Sequence, residues 1–431
     1  MHIKRKAMMI LSVMSSVTLL ASCASKPAEP PAYDASKKLH IAAWVAPPPE
    51  YISSESYRVM SESGIRVAYG LYEDVDVNAL KALDYAHEHG MQYMVRSRGI
   101  GSLPEDELEL MEGMFDQVVD HPAFAGVLVR DEPGAGEFDR LGALYRKFKE
   151  LYPDKLFYVN LFPTYSSLDQ RHGRTYKEYI DEYIEKVATP YISYDHYPLV
   201  KNVSGTDIRE DYLLNLEIVS QAAKKAGIPF WVFIQSIGYW TAGTENRIPE
   251  EADIRWQVYN SLAFGAQGIQ YFTYWTPEND NLTQFSDAMI DRAGNKTPLY
   301  DAVRNVNEEI ARFESLYLHY NHVGVQTYPT EGAPGHLYIE HRLESFAPIA
   351  GVKSEHPVVI GAFEDDDGHA AFILVNYTDP AKNLTNKVSV SLSQKYELLQ
   401  YDRHGETRLP KTKTYEVELA PGEGKFVALL K

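Results

Sequence analysis

Cysteine is almost absent: Cys23 is the only one in 431 residues. No intramolecular disulfide is possible, so the fold must rest on its core, which a chain of this length can bury. Positive charge is also in short supply. Against 60 Asp and Glu there are 42 Lys and Arg, a formal net of -18, and no long basic cluster lies beyond the N-terminus. Nucleic acid is excluded as a ligand on that balance. No Gly-x-Ser-x-Gly turn is present to carry a serine nucleophile. No Gly-x-Gly-x-x-Gly follows the first apolar run, which argues against an open, doubly wound dinucleotide-binding sheet. His87-Glu88-His89 lacks the i, i+4 spacing of a helical zinc pair, and nothing calls for a metal or a cofactor.

Eight short apolar or β-branched runs are present: His40 to Ala46, Ile65 to Leu71, Gln92 to Arg98, Phe124 to Arg130, Lys155 to Leu161, Tyr191 to Tyr197, Phe230 to Gln235 and Gln267 to Trp275. Stretches with helical spacing separate them, such as Phe138, Leu141, Leu144, Tyr145, Phe148 and Leu151. Strands alternating with helices pair in parallel, and eight repeats predict a closed (β/α)8 TIM barrel over residues 39–318. From Val323 the helical spacing disappears. Strand-like runs divided by Asp- and Gly-rich turns predict a C-terminal antiparallel β-sandwich over residues 323–431. Asp365-Asp366-Asp367-Gly368 reads as one of those hairpin turns, because a calcium loop needs further ligands that do not follow.

Lys4, Arg5 and Lys6, the apolar stretch from Ala7 to Leu20, and Leu20-Ala-Ser-Cys23 resemble a bacterial lipoprotein signal. The resemblance implies cleavage before Cys23, acylation of its sulfur and anchorage to the outer membrane of the cell envelope. Residues 1–23 are then signal and anchor, and residues 24–38, rich in proline, are a flexible spacer.

In a barrel of this kind chemistry sits at the carboxyl ends of the strands. The fourth run ends on Arg130-Asp131-Glu132-Pro133, which makes Glu132 the first candidate for a catalytic acid. The alternative for Glu132 is a capping role at the following helix. Asp131 points the other way if the strand stays extended, toward a neighbour or a substrate hydroxyl. Other strand ends offer Arg96, Asn160, Tyr194, Asp195, His196, Tyr197, Gln235, Trp240, Tyr274, Trp275 and Glu278 as ligands for a substrate. The composition includes 31 Tyr, 16 Phe and 5 Trp, and their clustering at strand ends fits a carbohydrate cleft, where rings stack on C–H faces and polar groups bind hydroxyls.

Arg130-Asp-Glu-Pro133, Tyr158-Val-Asn-Leu-Phe-Pro163, Ser193-Tyr-Asp-His-Tyr-Pro198 and Ala263 to Trp275 resemble the barrel motifs of glycoside-hydrolase-like lipoproteins, distantly the family 42 β-galactosidase type and clan A. The resemblance implies an acid/base Glu after strand four, matched by Glu132, although Asp131 replaces the usual Asn. It also implies a nucleophilic Glu after strand seven, where this chain reads Phe230-Trp-Val-Phe-Ile-Gln-Ser236, without a carboxylate. Asp195 is the best-placed substitute, with Glu278 and Asp74 behind it. Glu132 and Asp195 would then form a widely spaced inverting pair, unless Asp195 is held in a salt bridge to Arg96 or Arg130. Alternatively, Asp131-Glu132 resembles the acid pair of substrate-assisted hexosaminidases. The expectation is a glycosidase acting on a poly- or oligosaccharide. Its rival is a non-catalytic glycan-binding lipoprotein that keeps the aromatic cleft.

Overall fold

The computed structural model describes residues 28–72, 77–201, 208–241, 243–329 and 335–431. Cys23 and Asp74 lie outside them. Each of the eight runs forms a strand: β1 (His40–Trp44), β2 (Val67–Tyr69), β3 (Gln92–Arg96), β4 (Phe124–Asp131), β5 (Leu156–Asn160), β6 (Ile192–Asp195), β7 (Phe230–Gln235) and β8 (Gly268–Phe272). All pair in parallel in the spatial order β5-β4-β3-β2-β1-β8-β7-β6. The ring closes between β5 and β6, where Leu161 N donates to Ser193 O at 2.8 Å and Leu161 bridges Tyr194. The intervening helices bury one apolar stripe each. Phe138–Leu151 turns Phe138, Leu141, Leu144 and Phe148 inward, and Tyr212–Ala226 stops at Gly227, whose φ of 68° suits a residue without a Cβ.

From Asn321 onward seven strands hydrogen-bond into one antiparallel sheet. Its longest strand, Asn386–Asp402, spans what the sequence shows as two runs. It pairs with Ile349–Ser354 through its first half and with Gly424–Leu430 through its second, with a register irregularity between Ser391 and Tyr396. The sandwich is therefore a single sheet bent around its own core, in which Ile360, Phe372, Leu374, Val390, Leu398, Val427 and Leu429 are fully or almost fully buried.

The outer face of that sheet packs on the barrel through the helix Glu251–Ala263. Every residue of that helix from Asp253 onward is buried, although it has no apolar stripe. Strand β7 lies on one side and the sheet on the other, so its polar side chains are bonded rather than solvated: Gln257 accepts from Gln235 N at 2.9 Å and donates to Gln235 O at 3.1 Å. Gly361 permits the approach, since a Cβ there would collide with the Ala263 carbonyl.

Residues 28–38, expected as a flexible spacer, instead lie on the body of the protein. Arg408 Nη1 donates to Ala28 O at 2.8 Å, and Ser315 Oγ donates to Lys37 O at 2.7 Å. Backbone polar groups of a proline-rich segment find partners this way without regular structure. No helix among the described residues is long and apolar enough to cross a membrane.

Candidate active site

Strand β4 does not stay extended to its end. A register irregularity falls between Leu128 and Arg130, and Glu132 adopts φ 47°, a left-handed conformation that costs a non-glycine residue on the order of 1–3 kcal/mol. Both features rotate the strand end. Asp131 and Glu132, which strict alternation would place on opposite faces, are thereby brought into one cleft with Asp195 from β6.

Asn160 at the end of β5 ties the acids together. Its Nδ2 donates to Asp195 Oδ1 at 2.8 Å and to Asp131 Oδ1 at 3.2 Å. Its own Oδ1 accepts from Ser193 Oγ at 3.0 Å. Beneath it a buried polar ladder descends the barrel: Gln270 Nε2 donates to Ser193 Oγ, Tyr158 and Tyr69 donate to Gln270 Oε1, and His40 meets Tyr69 at 2.7 Å. Burial pushes His40 down to about 3, so its ring is neutral at the foot of the ladder. The ladder fixes which way the Asn160 amide faces, so its NH2 must point at the carboxylates.

Like charge and burial then act on the acids. Glu132 is pushed up to about 8, first by burial and then by the Asp131 charge, against the opposing effect of a hydrogen bond to the Asp195 carboxyl. Asp195, buried and facing both other acids, is raised as well, with the Asn160 bond opposing. Asp131 is open to solvent inside the protein-walled cleft and is also raised by burial, with Asn160, Arg130 and Arg96 working against the shift. Two carboxyls that share a hydrogen bond hold at least one proton between them, so the Glu132–Asp195 pair keeps a proton at neutral pH.

That contact corrects the sequence expectation of a widely spaced inverting pair, which needs carboxyl groups roughly 6.5–9.5 Å apart. The expected alternative for Asp195, a salt bridge to Arg96 or Arg130, is not formed either. Arg130 is bidentate to Glu137 at 3.0 and 2.9 Å, and Arg96 donates to Leu71 O at 3.0 Å.

Two walls flank the acids. On the Asp131 side a cavity of about 390 Å³ is lined by Trp44, Leu71, Arg96, Ser97, Leu128 and Tyr158, among others. On the Asp195 side stand Tyr165, Tyr197 and Tyr239, all close enough to feel its charge. Tyr197 packs against Phe272 with ring centroids 5.0 Å apart and meets Tyr239 edge-on at 5.9 Å. Arg209 lies over Tyr165 at 4.2 Å. Tyr239 belongs to a four-stranded antiparallel sheet built from the loops after β6, β7 and β8.

Several expected ligands are elsewhere. Tyr194 is fully buried, because alternation along β6 that turns Ser193 and Asp195 into the barrel turns it out into the helix layer. Tyr274 and Trp275 are likewise in the core, the latter against Tyr51. His196 is buried and held by Asp211 at 3.1 Å. Gln235 is committed to backbone groups of Leu199, Ile237 and Arg247, fastening the loop after β7. Glu278 is 83% exposed and lies 3.7 Å from Arg292. Trp240 is half exposed on the rim sheet. Sequence reasoning missed Tyr165, Arg209 and Gln270. Only Gln270 carried a signal, a polar residue inside an otherwise apolar strand. Among the described residues the one trio of Asp and His atoms close enough to share a metal is Asp365, Asp367 and His369, in a hairpin turn of the sandwich. There Asp365 Oδ1 accepts from Asp367 N and His369 N and so shapes the turn.

The family model of glycoside hydrolase 42, Beta-galactosidase, matches residues 142–313. That segment holds β5 to β8 and stops short of Asp131 and Glu132. No curated protein matches the chain. Among solved structures, a catalytic mutant of Gan42B, a GH42 beta-galactosidase from G. stearothermophilus, superposes with a TM-score of 0.59 at 10% identity, covering 92% of this chain and 99% of that one. A GH27-b-L-arabinopyranosidase from Geobacillus stearothermophilus gives 0.50 at 11% identity, covering 91% and 96%. A beta-galactosidase from the psychrophilic Marinomonas ef1 gives 0.46 at 11%, covering 65% of this chain, which spans 60% of that chain's length. Residues 142–313 are therefore similar to the glycoside hydrolase 42 beta-galactosidases, and the chain as a whole has the barrel fold of that family's structures.

Proposed function

We propose that this protein is a glycosidase in which Glu132 is the general acid. The observation that carries the reading is the crowding of three carboxyls, Glu132 against Asp195 with Asp131 tied beside it by Asn160, at the mouth of a barrel whose residues 142–313 resemble glycoside hydrolase 42. A leaving glycosidic oxygen needs a carboxylic acid that stays protonated at working pH, and Glu132, held at about 8, is one. A glycan-binding protein without catalysis has no use for three carboxyls crowded together, each disfavouring the others' ionisation. Asp195 sits behind Glu132 and keeps the proton on the pair. Tyr165, Tyr197, Tyr239 and Phe272 supply stacking surface for a sugar ring, and Trp44 and Arg96 face it from the opposite wall.

The site of action in this proposal is the cell envelope. The lipoprotein-like segment ending at Cys23 supports an acylated N-terminus, with a carbohydrate substrate and the membrane as partners.

The test is release of reducing sugar and oligosaccharides by the chain lacking residues 1–23, on a panel of plant, fungal and host glycans, beside its Glu132→Gln variant. Release that the substitution abolishes, with glycan binding retained, is the expected result. Binding without release by the unsubstituted chain would favour the glycan-binding reading and remove the assignment of Glu132.

A further inference from the structure

Beneath the three acids stands Ser193, fully buried. It lies two residues before Asp195 on β6, so strand alternation turns both side chains into the barrel. Asn160, from the end of β5, meets that strand twice. Its Nδ2 donates to Asp195 Oδ1 at 2.8 Å and its Oδ1 accepts from Ser193 Oγ at 3.0 Å. An amide has a donor end and an acceptor end, so the two contacts fix its orientation from opposite sides. Gln270 Nε2, which can only donate, fills one lone pair of Ser193 Oγ at 2.9 Å. Tyr69 and Tyr158 give their protons to Gln270 Oε1 at 2.7 and 2.6 Å, which holds that amide the right way round. Among the described residues the other acceptor within reach of the serine proton is Tyr158 Oη, 2.8 Å away.

The orientation matters because the two members of the acid pair differ in depth. Asp195 is 5% exposed, whereas Glu132 is half-buried. Burial disfavours the charged form more at the deeper group. By itself it would seat the shared proton on Asp195 and leave Glu132 ionised. The hydrogen bond from Asn160 to Asp195 opposes this. Resting on the glycosidase reading, we propose that Ser193 is a positioning residue: by giving its proton to Asn160 Oδ1 it keeps the Asn160 NH2 toward Asp195, and so places the shared proton on Glu132, where a leaving oxygen needs it. The same amide turned over presents its carbonyl to Asp195. Asp195 then keeps the proton to donate to that carbonyl, and Glu132 has none to give.

The other groups around the pair stay as they are when the serine is changed. Asp131 is the third acid, with Arg96 and Arg130 as the cations beside it. Arg209 lies over Tyr165, and His196, next to Asp195 in the chain, is turned to Asp211. Burial keeps Tyr158, Tyr165, Tyr197 and Tyr239 neutral toward the cleft. It does the same for Tyr176, Tyr179 and Tyr194 toward the helices. Ser193 carries no charge and touches none of the acids, so it reaches them through Asn160.

The experiment compares Ser193→Ala with the unsubstituted chain, both lacking residues 1–23. Carbon-13 at the glutamate carboxyls reports protonation by NMR, and the Glu132 signal is the one that Glu132→Gln removes. That signal should titrate at about pH 8 in the unsubstituted protein and at least about one pH unit lower in Ser193→Ala. Aryl glycosides of the sugar released from the glycan panel supply the second reading. With a phenyl leaving group, which needs the proton, kcat/KM should fall at least about tenfold. With a dinitrophenyl group, which leaves without one, it should stay within about threefold. Ser193→Cys fills the same site with a weak donor and carries both measurements if the alanine variant does not fold. An unmoved Glu132 titration in a folded variant would overturn the inference. So would an equal loss on both leaving groups, which marks a merely structural serine. A moved titration, with no glycan cleaved by the unsubstituted chain, would uphold the placement by Ser193 and sink the glycosidase reading. Cleavage abolished by Glu132→Gln beside an unmoved titration would sink the role of Ser193 alone.

Discussion

A carboxyl held protonated by its surroundings burdens the folded state once the solution is alkaline, and Glu132 allows that burden to be measured without any substrate. Its folded value of about 8 stands above the ordinary 4.5. The folded protein therefore keeps a proton that the unfolded chain has already released, and the stability present below pH 4.5 drains away as pH rises toward 8. At about 1.36 kcal/mol per pH unit the ceiling is about 5 kcal/mol. The cleft admits solvent and Asp195 shares the proton, so about 2 kcal/mol is the working figure. Glu132→Gln keeps the shape and has no proton to lose. Its melting temperature should match that of the unsubstituted protein at pH 4.5 and exceed it by a few degrees at pH 9, given roughly 1–2 °C per kcal/mol for a chain of this size. The assay is thermal denaturation followed by circular dichroism at pH 4.5, 7 and 9. Equal melting at pH 9, or a less stable Gln variant there, would refute the claim that Glu132 is buried among like charges.

With Glu132 as the proposed general acid, turnover should fall as pH rises through about 8; Asp131→Asn removes the neighbouring charge and should move that limb in residual activity down by about one pH unit, given a Coulomb term of about 1 kcal/mol across a wet cleft. Tyr194→Phe should leave both stability and KM unchanged within about 0.5 kcal/mol, because the Tyr194 hydroxyl is buried without a partner and faces the helix layer; a raised KM would restore Tyr194 to the cleft. Gly361→Ala should cost about 3 kcal/mol by forcing the sheet off the helix Glu251–Ala263, read as a lowered urea midpoint, and an unchanged midpoint would show that the sheet is not seated there.

The barrel was legible because its signal is local and repeated. Runs such as Phe230 to Gln235 and helices such as Phe138–Leu151 announce themselves through spacing alone, and eight such units leave few ways to close. The bent sheet was half legible: its strands were visible, but the run through Ser393 to Lys395 looks like a turn, and only pairing with Gly405–Leu419 keeps Asn386–Asp402 one strand. Strand ends were read worst. Tyr194, Tyr274 and Trp275 have the composition of a sugar platform and the positions of core residues, while Tyr165 and Arg209 reach the cleft from loops whose course no local pattern reveals.

Sequence by itself determined that eight strands alternate with helices, that a β-sheet unit follows, and that Asp131, Glu132 and Asp195 sit at strand ends, since hydrophobic period and chain order are properties of neighbours along the chain. Tertiary structure alone decided what those acids are to one another. The irregular register of β4 and the positive φ of Glu132 turn two successive carboxyls into one cleft, and Asn160, oriented from below by Ser193 and Gln270, pins Asp131 beside Asp195. The contact of Glu132 with Asp195 joins residues 63 positions apart, and such proximity is fixed by packing rather than by order in the chain.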